Sequence, residues 1–225
     1  SCDFSSNFSE SYINDTYEPN IIEEVVDNSI YVSVMRSNGS IVSLELEDYV
    51  TGVVSAEMPA LFNSEALKAQ AVIARTYALR ANSRGTVLSD NESSQSYKSN
   101  EQLRSLWGSS FDAYYNKIKS VVNGTSGMYL SYNGNYIEAV YHSTSNGKTE
   151  SSSEVWGNYY PYLVSVASIY DNQNPSYVKS KTFSYQELSN IFGINVDQNT
   201  LIEINNKTSG DRVKNITVGE KSYTR

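Results

Sequence analysis

Leu46-Glu-Asp-Tyr-Val-Thr-Gly-Val-Val-Ser-Ala-Glu-Met-Pro59 and, after four intervening residues, Ser64-Glu-Ala-Leu-Lys-Ala-Gln-Ala-Val-Ile-Ala-Arg-Thr-Tyr-Ala-Leu79 decide the fold class of this chain. In the first stretch Leu46, Tyr49, Val50, Val53 and Val54 recur at i, i+3, i+4, i+7 and i+8, which is one face of an α-helix. The next position of that stripe is Glu57, and Pro59 ends the helix at about Met58. Asn63 or Ser64 caps the second helix, and Glu65 in its first turn suits the positive end of the helix dipole. That second helix is apolar on most of its sides, which predicts a central buried helix. Lys68 and Arg75, seven residues apart, share its main polar seam.

Working outward, Ile30 to Met35 and Ile41 to Leu44 flank Ser37-Asn-Gly-Ser40, and Asn-Gly between two β-prone runs predicts a hairpin. Residues 82–105 are polar and read as a long loop whose most distinctive point is Gln95-Ser-Tyr97. A helix follows from about Phe111 to Asn123. A second hairpin runs from Met128 to Tyr132 and from Tyr136 to Tyr141 around Asn133-Gly134. His142 to Gly147 reads as a polar turn, Leu163 to Ala167 and Ile216 to Val218 as strands, and Ser184 to Phe192 as a short helix. The class is α+β: a single globular domain over 29–225 with a central buried helix, flanking β-hairpins and a cleft, preceded by an extended acidic arm over 1–28.

The net charge of −8 belongs mainly to that arm. Residues 1–28 hold seven Asp and Glu and no Lys or Arg, so the 25 acids less these seven leave 18 against 17 bases over the rest. A nearly neutral folded part lacks the basic surface that a nucleic-acid binder needs. One cysteine, Cys2, excludes an internal disulfide, and one histidine, His142, leaves no Cys/His zinc cage. At 39% hydrophobic residues no stretch reaches the ~20 consecutive apolar positions of a membrane span. The chain opens on Ser1, as a processed or truncated piece would, and an anchor is expected before it.

Glu57 is the most informative residue, because a carboxyl at the end of an apolar stripe is the type of group a general acid requires. The alternative is a solvated acid at a fraying helix end. Lys68 and Arg75 can orient a hydroxyl-rich or anionic ligand, or they can be solvated side chains. His142 lies beside Ser143, but neighbouring strand residues point to opposite faces, which argues against a serine triad. Nineteen tyrosines and two tryptophans supply flat apolar faces of the kind that stack on sugar rings, although most of them need have no such role.

Gly52-Val-Val-Ser-Ala-Glu-Met-Pro59 and Glu65 to Leu79, followed in order by Gln95-Ser-Tyr97, Tyr141-His-Ser-Thr-Ser-Asn-Gly-Lys-Thr-Glu150, Val155-Trp-Gly157 and Pro161-Tyr-Leu-Val-Ser-Val166, resemble the SpoIID/LytB family over roughly residues 30–195. The resemblance implies a lytic transglycosylase of bacterial peptidoglycan that acts during spore engulfment on denuded strands, leaving 1,6-anhydroMurNAc ends. The alternative it carries is a non-catalytic, glycan-binding activator of a cell-wall amidase. It implies Glu57 as catalytic acid, with Lys68, Arg75 and His142 in or beside the glycan cleft. Gln70, Tyr97, Ser143, Ser145, Asn146, Trp156 and Tyr162 complete the expected substrate-binding set.

Expected partners are peptidoglycan strands, a SpoIIP-like amidase and a membrane anchor protein, in an extracytoplasmic location between the membranes of the sporulating cell. No cofactor is expected. Some family members carry cysteines near the His loop, where this chain has Ser and Asn, so no metal is expected either. A lytic transglycosylase manages with one carboxyl, because the sugar's own C6 hydroxyl attacks C1, whereas a hydrolase needs a second acid. Glu150 and Glu154 are the nearest candidates for that second acid.

Overall fold

The computed structural model describes residues 21–23, 30–175 and 177–224. The arm expected over 1–28 lies outside the described residues apart from Ile21–Glu23, which form strand β1. Two compact units divide the chain, residues 1–141 and 142–225, and both mix helix and strand. No described helix is long and apolar enough to cross a membrane.

In the first unit β2 (Tyr31–Met35) and β3 (Ile41–Glu45) form the expected antiparallel hairpin. Gly39 turns it at φ +83°, a conformation that residues with a Cβ rarely adopt. The chain then enters α1 (Leu46–Glu57), whose N-cap Glu45 accepts from Asp48 N–H at 2.9 Å. Leu46, Tyr49, Val50, Val53 and Val54 are all buried, so the stripe seen in the sequence is the face that packs. Met58 leaves the helix with extended backbone just ahead of Pro59.

Asn63 caps α2 (Ser64–Ser83) through Glu65 N–H. Its Leu67, Ala71, Ala74 and Ala78 are buried, and the small alanines let α1, α4 (Phe111–Asn123) and β5 (Met128–Tyr132) pack close around it. This is the central helix that the sequence predicts. Burying an aliphatic side chain stabilises by roughly 1.5–3 kcal/mol, and the core cluster spans all of these elements.

Three features depart from the expectation. The polar stretch 82–105 is not one loop. It holds β4 (Leu88–Ser89), which pairs parallel to β2, and α3 (Asn100–Trp107). Helix α3 starts on a capping box in which the Ser99 hydroxyl accepts from Gln102 N–H and the Gln102 side chain accepts from Ser99 N–H. Ile21–Glu23 pairs antiparallel with Met128–Leu130, making a β1–β5–β6 sheet. The second hairpin is also shorter than expected, because β6 spans only Asn135–Tyr136 and residues 137–141 lie outside any strand.

In the second unit the strand expected at Leu163 to Ala167 is reduced to one bridge between Lys148 and Ala167. Helix α5 (Ser152–Trp156) ends at Gly157, and α6 (Tyr185–Phe192) follows the capping-box pair Ser184 and Glu187. The strand expected at Ile216 to Val218 is the middle of a meander, β7 (Ile202–Lys207), β8 (Val213–Val218) and β9 (Lys221–Thr224). Tyr223 of β9 packs on Phe192 at 5.0 Å and donates its hydroxyl to the Phe192 carbonyl.

Candidate functional site

Glu57 is the last residue of α1 and is half-buried. Its Oε1 accepts from Ser96 N–H at 2.7 Å. The Tyr141 hydroxyl lies near enough to this carboxylate to feel its charge. A carboxylate is an acceptor only, and this backbone donor restricts its rotation.

The Ser96 N–H reaches Glu57 because the segment 95–98 is pressed onto α1 at Gly52. A Cβ built on Gly52 would stand 2.3 Å from Tyr97 Cε2 and 2.8 Å from the Lys98 carbonyl oxygen. Lys98 N–H donates to the Gly52 carbonyl at 3.3 Å. The Tyr97 ring stacks on Tyr49 at 5.6 Å and 9°, and the Arg36 guanidinium lies 4.7 Å from its centroid on another contact. Gln95, 1% exposed, donates through Nε2 to the Tyr49 hydroxyl and the Ala74 carbonyl. The bare helix surface that glycine provides is thus what allows a backbone donor to meet the end of the same helix.

Burial, and then the negative charge and hydrogen bond of Glu57, push the Tyr141 hydroxyl well above the ordinary tyrosine range. Burial does the same for Tyr49. Both phenols therefore keep their protons at neutral pH. Gln70 is buried on α2, and its Nε2 makes no hydrogen bond of normal geometry. It nevertheless lies near enough to the Tyr141 hydroxyl to lower that group's proton affinity slightly.

Arg75 is a correction. It is 0% exposed and forms a two-pronged ion pair with Glu47, Nε to Oε1 at 2.7 Å and Nη2 to Oε2 at 2.6 Å. Its remaining donors reach the Met128 and Val122 carbonyls and the Thr125 hydroxyl. A planar guanidinium with every edge engaged braces α1, α2, the end of α4 and β5, and presents nothing to a ligand. Lys68 is partly exposed and pairs with Glu65, one turn away on its own helix, at 2.8 Å. Tyr97, expected to bind substrate, has one ring face committed to Tyr49 and an edge to Gly52.

The other expected residues lie in the second unit. His142 and Ser143 are exposed. Ser145 is buried and donates from N and Oγ to Asp171 Oδ2, and these bonds hold the Asp171 carboxyl below its ordinary range. Asn146 Nδ2 donates to the Gly210 carbonyl at 2.9 Å, so Ser145 and Asn146 are both engaged in holding their own loop. Trp156 is 52% exposed, and Tyr162 packs its ring against Tyr160 at 5.7 Å.

Glu150 and Glu154, the candidates for a second carboxyl, both have partners in this unit. Glu150 accepts from Thr208, Ser209 and Gly210 and pairs with Arg212. Burial pushes its carboxyl up, but those donors outweigh burial and hold it below the ordinary range. Glu154 pairs with Lys214 at 3.1 Å. Among the described residues no group of three or more His, Cys, Asp or Glu side chains gathers as metal ligands.

The sequence reading did not single out Tyr141, Gln95 or the Ser96 backbone as parts of the Glu57 site. The available signals were positional: Tyr141 precedes His142 in a distinctive block, and Gln95-Ser-Tyr97 is the most distinctive point of its segment.

Residues 35–132 match the family model described as SpoIID, stage II sporulation protein. The chain is 39% identical over 213 residues to stage II sporulation protein D of Bacillus amyloliquefaciens, covering 91% of this chain and 61% of that protein. It is 38% identical over 210 residues to stage II sporulation protein D of Bacillus subtilis (strain 168), covering 89% and 61%. An amidase enhancer of Bacillus subtilis (strain 168) is 39% identical over 137 residues, covering 61% of this chain and 17% of that protein. The chain thus spans 61% of the length of the two stage II relatives.

Proposed function

We propose, from the premise that this chain carries a domain of the stage II sporulation protein D family, that it is a peptidoglycan lytic transglycosylase acting in sporulation. It cleaves MurNAc–GlcNAc linkages of peptide-free strands and leaves 1,6-anhydroMurNAc ends. The observation that carries this reading is the half-buried Glu57 carboxyl at the end of α1, held by the Ser96 N–H at 2.7 Å.

In this reaction the C1–O bond to the leaving sugar breaks and a bond from O6 to C1 forms. Glu57 gives its proton to the departing oxygen, then receives the proton that the C6 hydroxyl releases, and ends as it began. One carboxyl serves both transfers. The other two carboxyls weighed for a role, Glu150 and Glu154, are engaged with their own partners. Partly exposed Lys68 in the first unit, and exposed His142, Ser143 and Trp156 in the second, are the remaining candidate glycan contacts. Substrate strands would come from an amidase that strips stem peptides, in an extracytoplasmic compartment.

Incubating the purified chain with peptide-free glycan strands and analysing the products by mass spectrometry tests the reading. Anhydro-ended fragments are expected. Reducing ends would make it a hydrolase. The similarity to an amidase enhancer favours a second reading, a glycan-binding activator. On that reading no fragments appear, and a cell-wall amidase is stimulated instead.

A further inference from the structure

We propose that Lys98 binds the free lactyl carboxylate of peptide-free MurNAc, and so selects strands whose stem peptides have been removed. This rests on the glycan reading given above and names the chemical group by which that substrate is chosen.

Residues 90–93 and 96–98 line an open cleft of about 530 Å³ in the first unit. Ser96 belongs to this lining, and its N–H holds Glu57 Oε1 at 2.7 Å. The cleft therefore adjoins the carboxyl proposed to cut the strand. Lys98 N–H donates to the Gly52 carbonyl at 3.3 Å, and Gly52 lies on α1, whose last residue is Glu57. At a rise of 1.5 Å per residue, Gly52 stands ~7.5 Å along the helix axis from Glu57. The flexible four-carbon stem of Lys98 thus works close to the scissile linkage.

The charges of the cleft single out this side chain. Arg36, which lies against Tyr97, is engaged by Asp90, by the Gln102 side chain and by the Tyr97 ring. Asp90 is in turn held by Arg36 and by the Ser37 N–H. Glu92 is exposed, and water screens its charge. Lys98 is the one Lys or Arg of the lining, is half-buried, and has no ion-pair partner among the described residues. Asn91, Ser93 and Ser96 beside it supply amide and hydroxyl groups of the kind that meet sugar hydroxyls. An unpaired ammonium in such surroundings fits an anion carried on an otherwise neutral sugar chain. On MurNAc that anion is the lactyl carboxylate. It is tied up as an amide while a stem peptide is attached, and it becomes charged once the peptide is cut away. Only the peptide-free strand then gains the charge-assisted hydrogen bond.

Calorimetry on Glu57→Gln, which leaves bound strands uncut, tests this with two sets of peptide-free strands. One set is unmodified, and in the other the lactyl carboxylates are coupled to ammonia as neutral amides. Unmodified strands should bind about tenfold more tightly, the range of a charged hydrogen bond. Adding Lys98→Met should erase that preference, weakening unmodified strands about tenfold and changing amidated strands by less than about twofold. Lys98 meets Gly52 through its backbone, so this substitution leaves the junction with α1 in place. Equal affinity for the two sets, binding of neither, or a preference that survives Lys98→Met would overturn the proposal. Release of anhydro ends without any such preference would sink the role of Lys98 alone. A Lys98-dependent preference in a chain that releases no anhydro ends would sink the transglycosylase reading and leave this site standing.

Discussion

At the scale of single residues, Glu57 and Arg75 show how one kind of sequence signal leads to opposite roles. Both are charged groups on helices whose faces are largely apolar. Glu57 ends its helix half-buried, whereas Arg75 lies in the middle of α2 and is wholly enclosed. If Glu57 is the general acid, Glu57→Gln should lower anhydro-end release by on the order of 10² to 10⁴, with the thermal transition nearly unmoved. Near wild-type cleavage would remove it from the chemistry. Arg75→Ala strips the partner from the partly buried Glu47 and from two carbonyls, and breaking a fully buried pair costs about 3–5 kcal/mol, the upper bound here. Urea unfolding of Arg75→Ala and Arg75→Lys should show large losses of stability in both. If either variant kept wild-type stability and lost glycan binding instead, the brace would be the wrong account.

At the scale of elements, the junction of α1 with residues 95–98 gives Gly52 a purpose that helix propensity works against. Glycine inside a helix costs about 1 kcal/mol relative to alanine, so Gly52→Ala should stabilise if the surface were open. The Tyr97 ring and Lys98 carbonyl occupy that space. We expect the opposite sign, destabilisation on denaturant unfolding, together with reduced cleavage as the Ser96 donor is pushed away from Glu57. A gain in stability with full activity would show that the segment moves aside freely. The short β6 belongs to the same scale, since residues 137–141 lie outside any strand and Glu138 pairs with Arg80 of α2.

At the scale of the whole molecule, carboxyls in the second unit tie stability to pH. Glu150, Asp171, Glu187 and Asp211 all lie below their ordinary range in the fold, each held there by hydrogen bonds or a cation. Their contribution is fully present above the ordinary carboxylate range and is lost as pH falls through the lower, folded-state values. Tyr49 and Tyr141 are shifted upward, so their contribution holds below the ordinary tyrosine range near 10 and fades as pH rises beyond it. Thermal melts should therefore show a plateau around neutrality with a fall at both extremes. In Glu150→Gln the acid limb should flatten, and an unchanged acid limb would assign the sensitivity to other carboxyls.

The sequence alone determined the elements that local pattern specifies. The i, i+3, i+4 stripe of α1, the alanine-rich α2, the Asn38-Gly39 turn and the span of α4 are all legible because periodicity and turn chemistry act over a few residues. It also pointed to Glu57, as the one break in a regular apolar face. Local pattern did not reveal α3, whose polar surface hid its capping box, or β1 and β4, which are too short to announce themselves without a partner strand. The surroundings of Glu57 were decided only by tertiary structure. Ser96 is 39 residues away in sequence and Tyr141 lies far beyond it, so their meeting depends on packing that no local period encodes. The same holds for Arg75. An arginine on a helix face has one sequence signature whether it meets water or a partly buried carboxylate 28 residues earlier, and only the packing of α1 against α2 settles which.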